Sequence, residues 1–166
     1  STSNMNNNIA IITAPFYKEI NDGLYQGAVE ALDAAGVTYE RFDVPGALEV
    51  PLACQMVAES GNFNAVIALG CVIRGETAHF DHVCEQSARG IMDVSLNYGM
   101  PIGNGIITVE NGNQAKARSA TSGEFGNENI AKENKGREAA EAALALLALE
   151  ETLLLDIEGA IEGDED

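Results

Sequence analysis

The chain has 166 residues, of which 46% are hydrophobic and only 5% aromatic, with no tryptophan. That composition excludes a disordered chain and points to one domain whose core is mostly Ala, Val, Ile and Leu. The formal net charge of −17 leaves no basic stripe to neutralise phosphates, and the apolar runs at 9–12, 65–70 and 142–149 are far too short to span a bilayer, so neither nucleic acid nor membrane is expected as a partner.

Residues 1–7 are polar and predict a disordered lead-in to a single domain over 8–155. Ile9-Ala-Ile-Ile-Thr13 is a continuous apolar run, as a strand buried on both faces would be. Apolar residues Ile20, Leu24, Ala28, Ala31 and Leu32 then recur at threes and fours, predicting a helix from about Tyr17 to Ala35 that Gly36 stops. Val37–Val44 reads as a second strand, and Pro45-Gly46 as a type II turn in which the glycine takes a positive φ. A helix over Leu48–Ser60 closes at Gly61-Asn62, and Ala65–Leu69 is a third buried strand. Gly70–Ala78 reads as a polar, glycine-containing loop, followed by a helix from His79 to Asn97. Gly105–Val109 is a fourth strand, and Asn111 to about Ala120 a short helix. A polar stretch over Ser119–Asn134 precedes an Ala/Leu-rich helix from Gly136 to about Leu155. Residues 156–166 form an acidic tail; from Glu150 onward there are eight acids and no base.

Strand and helix alternate four times, with connections too long for hairpins. The pattern predicts an α/β fold, a four-stranded parallel sheet with helices on both faces. Ligands in such sheets sit at the carboxyl ends of the strands, so the loops after each strand are the places to look for chemistry. No basic segment precedes an apolar run near the start, so no secretory leader is expected. Cys54, Cys71 and Cys84 have no metal-like spacing and read as reduced thiols of a cytoplasmic protein.

The loop after the third strand reads Gly70-Cys-Val-Ile-Arg-Gly-Glu-Thr-Ala-His-Phe-Asp81. Gly75, Glu76 and Thr77 precede a helix start, where backbone N–H groups suit a phosphate, and His79 lies within a turn of them to move protons beside a bound anion. The plainer reading has Thr77 capping the helix and His79 on the surface; spacing alone leaves both open. His82 shares a helix face with His79, but no third ligand with metal spacing accompanies the pair. Asp81 either orients a histidine or is solvated. Cys71 is a nucleophile only if its pKa is depressed, and otherwise a buried strand cysteine.

Val44-Pro-Gly-Ala-Leu-Glu-Val-Pro51 is either a wall that lets a flat ligand approach backbone or a plain strand-to-helix turn. In Thr108-Val-Glu-Asn-Gly-Asn-Gln-Ala-Lys-Ala-Arg118, Gln114 and Arg118 stand four apart on one helix, so Arg118 is an anion clamp or a solvated face. The first loop, Thr13-Ala-Pro-Phe-Tyr17, lacks the hydroxyl and glycine run that wraps a flavin phosphate, and lacks GxGxxG. Phe16 there is core or a stacking platform.

Together these three motifs resemble the lumazine synthase family in order and spacing, over about residues 8–149. The resemblance implies a three-layer flavodoxin-like sandwich. It implies condensation of 5-amino-6-ribitylaminouracil with 3,4-dihydroxy-2-butanone 4-phosphate, with loss of phosphate and water and with no cofactor or metal. By the same resemblance Phe16 stacks on the pyrimidine ring, Gly46, Ala47, Leu48 and Glu49 line the ribityl side, and Val72 and Ile73 meet the ring through backbone. Gly75, Glu76 and Thr77 hold the phosphate with Arg118, and His79 transfers protons. Asn104 and Met100 come from the neighbouring subunit's side of the pocket, and Lys135 matches a family lysine near the site. Leu48 and Asn104 stand where relatives often carry an aromatic. The link from Arg118 to Lys135 is long, with 121–131 as the extra material, and this leaves the alignment of Lys132 and Lys135 open. In the tail, Leu153, Leu154, Leu155, Ile157 and Ile161 suggest an amphipathic extension packing on the body.

Family members form pentamers, some of them decamers or cages, with sites between adjacent subunits; the long link and the net charge favour a pentamer here. Other readings are a non-catalytic lumazine- or riboflavin-binding protein, a shell-forming protein, and a hydrolase using His79. Retention of both His79 and Arg118 speaks against the binder, and the absence of an activated nucleophile with a paired base against the hydrolase.

Overall fold

The computed structural model describes residues 7–121 and 133–165, with side chains as far as Leu155. The lead-in before Asn7, the link beyond Thr121 including Lys132, and the side chains of Ile157 and Ile161 lie outside the described residues. The element order is β1 (Asn8–Ala14), α1 (Lys18–Ala35), β2 (Thr38–Asp43), α2 (Val50–Ser60), β3 (Ala65–Ile73), α3 (His79–Tyr98), β4 (Ile102–Val109), α4 (Gly112–Ser119) and α5 (Lys135–Glu165). The four strands form one parallel sheet in the order β2-β1-β3-β4. The expected α/β class and four-stranded parallel sheet are therefore what the chain adopts.

Alternation along the central strands builds two cores. Ile9, Ile11, Ile67 and Leu69 face a layer made by α1, α4 and α5, where they meet Leu24, Leu32, Ala140 and Ala143. Ala10, Ile12, Val66 and Ala68 face α2 and α3, where they meet Val50, Cys54, Ile91 and Val94. The period of two sends successive residues to opposite faces, so a strand buried on both sides must be apolar throughout. Each fully buried Ile, Leu or Val contributes roughly 1.5–3 kcal/mol relative to exposure. β2 is an edge strand with only intermediate or exposed residues, which is why its sequence, Thr-Tyr-Glu-Arg-Phe-Asp, alternates with charge.

Glycine ends three helices. Gly36, Gly61 and Gly99 have φ of 71°, 72° and 60°, the left-handed conformation that terminates α1, α2 and α3. Gly46 does not join them. Its φ of −158° is extended, so the expected type II turn is replaced by extended backbone leading into a short 3-10 turn at Ala47–Glu49. That turn precedes α2, whose first turn holds Pro51 where the missing N–H costs nothing.

The expected loop at Gly70 is also shorter. β3 runs on through Cys71, Val72 and Ile73 because β4 continues beside it, with Cys71 opposite Ile107 and Ile73 opposite Val109. β4 likewise starts early, pairing Ile102 with Val66. The C-terminal helix is longer than its apolar pattern suggested and reaches Glu165. Leu153, Leu154 and Leu155 are about half exposed on it, and Leu153 and Leu154 line a groove with Met100 and Pro101 of the body.

Candidate active site

The ends of β1 and β3 lie side by side, Ala14 against Gly70, while their connections leave toward opposite faces of the sheet. A crevice opens at such a switch point. A cleft of about 450 Å³ sits there, walled by Phe16 and Tyr17 after β1, Pro45–Glu49 after β2, and Cys71–Ile73 at the end of β3. Gly75, Thr77, His79, Phe80 and Val83 complete it from the start of α3. Of the residues expected at the ring, ribityl and phosphate positions, this cleft gathers Phe16, Gly46, Ala47, Leu48, Glu49, Val72, Ile73, Gly75, Thr77 and His79. Glu76 is exposed and not part of the wall.

Phe16 is 76% exposed and meets Tyr17 edge-on at 5.0 Å. A phenylalanine face left in solvent beside a cleft is suited to stacking on a flat ligand. Leu48, 49% exposed, offers an apolar but non-stacking surface to the cleft. The hydroxyl of Thr77 accepts from the backbone N–H of His79 at 3.3 Å, one residue before the helix N-cap Ala78, and Thr77 also lines the cleft. Burial pushes the Cys71 thiol up to about 11, so at neutral pH it is a protonated wall residue rather than a nucleophile. Asp81 orients neither histidine by any ion pair; it lies 3.7 Å from Arg74. Among the described residues no group of three His, Cys, Asp or Glu is arranged for a metal ion. No helix there is long and apolar enough to cross a membrane.

Asn104, Arg118 and Lys135 are elsewhere. They share a second cleft of about 430 Å³ on the outer side of β4, lined also by Thr108, Glu138 and Ala142. Asn104 is exposed, and its side-chain oxygen accepts from the N–H of Ile106 at 3.0 Å. Arg118 is half-buried and donates to the carbonyl of Gln114 at 3.1 Å. Lys135 pairs with Glu138 at 2.8 Å. Met100 is in neither cleft; it lines an apolar groove with Pro101, Leu146 and Leu149. Within one chain, then, Arg118 does not meet the phosphate loop.

Lys135 is fixed by a residue whose part the sequence did not disclose. Asn134 is 1% exposed, with its amide nitrogen 3.0–3.1 Å from the carbonyls of Gly23, Ser119 and Ala120. Its oxygen accepts from the N–H of Arg137 at 3.1 Å, which caps α5. Next to it Gly136 lets α5 approach α1, since a Cβ there would strike the Leu24 carbonyl. Tyr17, Pro45, Phe80 and Val83 also line the first cleft; of these only Val83 lies outside the segments quoted above.

A family model for 6,7-dimethyl-8-ribityllumazine synthase matches residues 6–151, which takes in both clefts. The chain belongs to the 6,7-dimethyl-8-ribityllumazine synthase family. Among curated relatives of that name, the protein of Sphingopyxis alaskensis is 52% identical over 143 residues, covering 86% of this chain and 94% of its own. That of Methylobacterium radiotolerans is 47% identical, covering 85% and 80%, and that of Zymomonas mobilis 46%, covering 86% and 96%. The flavodoxin-like sandwich implied by the motifs is thus the family's fold in this chain, and the family match ends inside α5, well before Glu165.

Proposed function

We propose that this chain is a transferase that condenses 5-amino-6-ribitylaminouracil with 3,4-dihydroxy-2-butanone 4-phosphate. The product is 6,7-dimethyl-8-ribityllumazine, with phosphate and water released, the penultimate step of riboflavin biosynthesis. The observation that carries this reading is the placing of His79 on the first turn of α3, in one cleft with an exposed aromatic platform, in a chain of this family. The aminouracil ring stacks on Phe16, with its ribityl chain along Gly46–Glu49. The phosphate-bearing ketone sits at Gly75–Thr77, where the helix N-terminus favours an anion. His79 moves protons as the amine adds to the carbonyl, as the Schiff base forms, and as phosphate leaves.

Among the described residues the first cleft is lined by no lysine or arginine, whereas the second holds both Arg118 and Lys135. A departing phosphate needs cationic support. We read the two clefts as complementary halves: the arginine side of one copy closes the histidine side of the next, in a homo-oligomer. A ring of five copies and a cytoplasmic location complete the proposal; close packing of many more copies at −17 each is self-repelling.

The test is formation of lumazine absorbance from the two substrates, against a protein-free control because they condense slowly unaided. The parent protein accelerates it. His79→Ala lowers kcat by about a hundredfold, and Arg118→Ala mainly raises KM for the phosphate-bearing substrate. No acceleration by folded, oligomeric protein contradicts the reading, and a particle of virus-like size in light scattering contradicts the pentamer.

A further inference from the structure

One side chain outside both clefts touches the framework of each. β3 and β4 stay in register one residue past the strand end, so the N–H of Arg74 donates to the carbonyl of Val109 at 2.9 Å. That puts Arg74 beside Glu110, and its Nε donates to the Glu110 carboxylate at 2.7 Å. Its Nη1 lies 3.7 Å from Asp81 in the first turn of α3. Its guanidinium plane covers the ring of Phe80 at 4.4 Å. Phe80 is a wall of the first cleft and the next residue after His79. Glu110 is in turn held from α4: its N–H donates to the side-chain oxygen of Gln114 at 2.8 Å, and the backbone carbonyl of Gln114 accepts from Arg118.

We propose that Arg74 is a positioning residue, a clasp that holds the His79 end of α3 against the ends of β3 and β4. The inference rests on the assignment of His79 and Arg118 to the condensation. A guanidinium alone fits the place. Its fork reaches two carboxylates while its plane stacks on an aromatic ring, which an ammonium does not do. Pairing also sets a positive charge beside the Asp81 carboxylate in the first turn of α3, offsetting a negative charge near the phosphate end of the helix. The clasp is a surface feature, with Arg74 43%, Asp81 64% and Glu110 57% exposed at the side chain. Exposed ion pairs contribute little to folding, so their removal is expected to disturb placement and not the fold.

The experiment compares steady-state kinetics of the parent, Arg74→Met, Glu110→Ala and the double variant, with His79→Ala as reference and with melting temperature and oligomer mass measured on each. Each single variant is expected to lose about tenfold in kcat/KM for the phosphate-bearing substrate, with KM for the aminouracil within about twofold of the parent, because Phe16 and Gly46–Glu49 are not clasped. The double variant falls no further than the worse single one, as coupled partners require. Melting temperature and mass stay at parental values. Unchanged kinetics, an additive double variant, or a loss of both substrates together with a lowered melting temperature overturns the clasp. If His79→Ala retains full turnover, the site assignment fails and the clasp with it. If His79→Ala is impaired while the Arg74 and Glu110 variants are not, only the clasp fails.

Discussion

At the scale of single residues, Asp43 illustrates how an end-of-strand contact shapes the cleft. The Arg41 guanidinium, and after it the Thr13 hydroxyl, hold its carboxyl below the ordinary carboxylate range. Thr13 and Asp43 form the last pair between β1 and β2, and the N–H of Val44 donates to the Thr13 carbonyl at 2.8 Å, so the pair fixes where the Pro45–Glu49 wall begins. A depressed folded pKa means that this tie is fully present above the unfolded value and is lost as pH falls through the folded one. Carboxyl NMR titration is expected to find Asp43 moved upward by Thr13→Val and further by Arg41→Met, the larger cause. An unmoved titration contradicts the contact. Arg74, Asp43 and Asn134 share a property: their types are readable in the sequence and their partners are not. Ile73 must lie opposite Val109 before Arg74 can reach Glu110, and no local pattern states that register.

At the scale of elements, the sequence was most legible where one physical rule acts alone. Buried strands read as unbroken apolar runs, and glycines after helical periodicity ended helices at Gly36 and Gly61. It was least legible where neighbours decide. Cys71-Val-Ile73 became strand because β4 lay alongside to pair with it, although flanking glycines suggested a loop. Pro45-Gly46 suggested a turn by composition, but tertiary context kept Gly46 extended. Asn134 is the strongest case, a polar residue in a polar stretch that joins α1, α4 and α5. Asn134→Ala removes a helix cap and leaves buried carbonyls unpaired, a cost of about 2–3 kcal/mol. Thermal melting should then fall by about 5–10 °C for a chain of this size. A melting temperature within a degree of the parent contradicts the role assigned to Asn134.

At the scale of the whole molecule, no spacing in the sequence shows that the candidate site residues divide between two clefts of one chain. The motifs suggest His79 and Arg118 as neighbours in chemistry, but their separation in one chain follows from α3 and α4 packing on opposite faces of the sheet. A parallel sheet in the order β2-β1-β3-β4 puts the switch-point cleft at its centre and the Arg118 cleft at its β4 edge. On the proposed function, edge and centre meet when a second copy supplies the other half. Mixing variants tests this most directly. His79→Ala and Arg118→Ala protein are unfolded together, reassembled at equal ratio, and assayed for lumazine formation at a concentration of the phosphate-bearing substrate low enough that neither variant alone turns over appreciably. Sites shared between copies predict recovery of up to about a quarter of parental turnover, since that fraction of sites unites two intact halves. Recovery no greater than the mean of the two separate variants contradicts a site built from two chains.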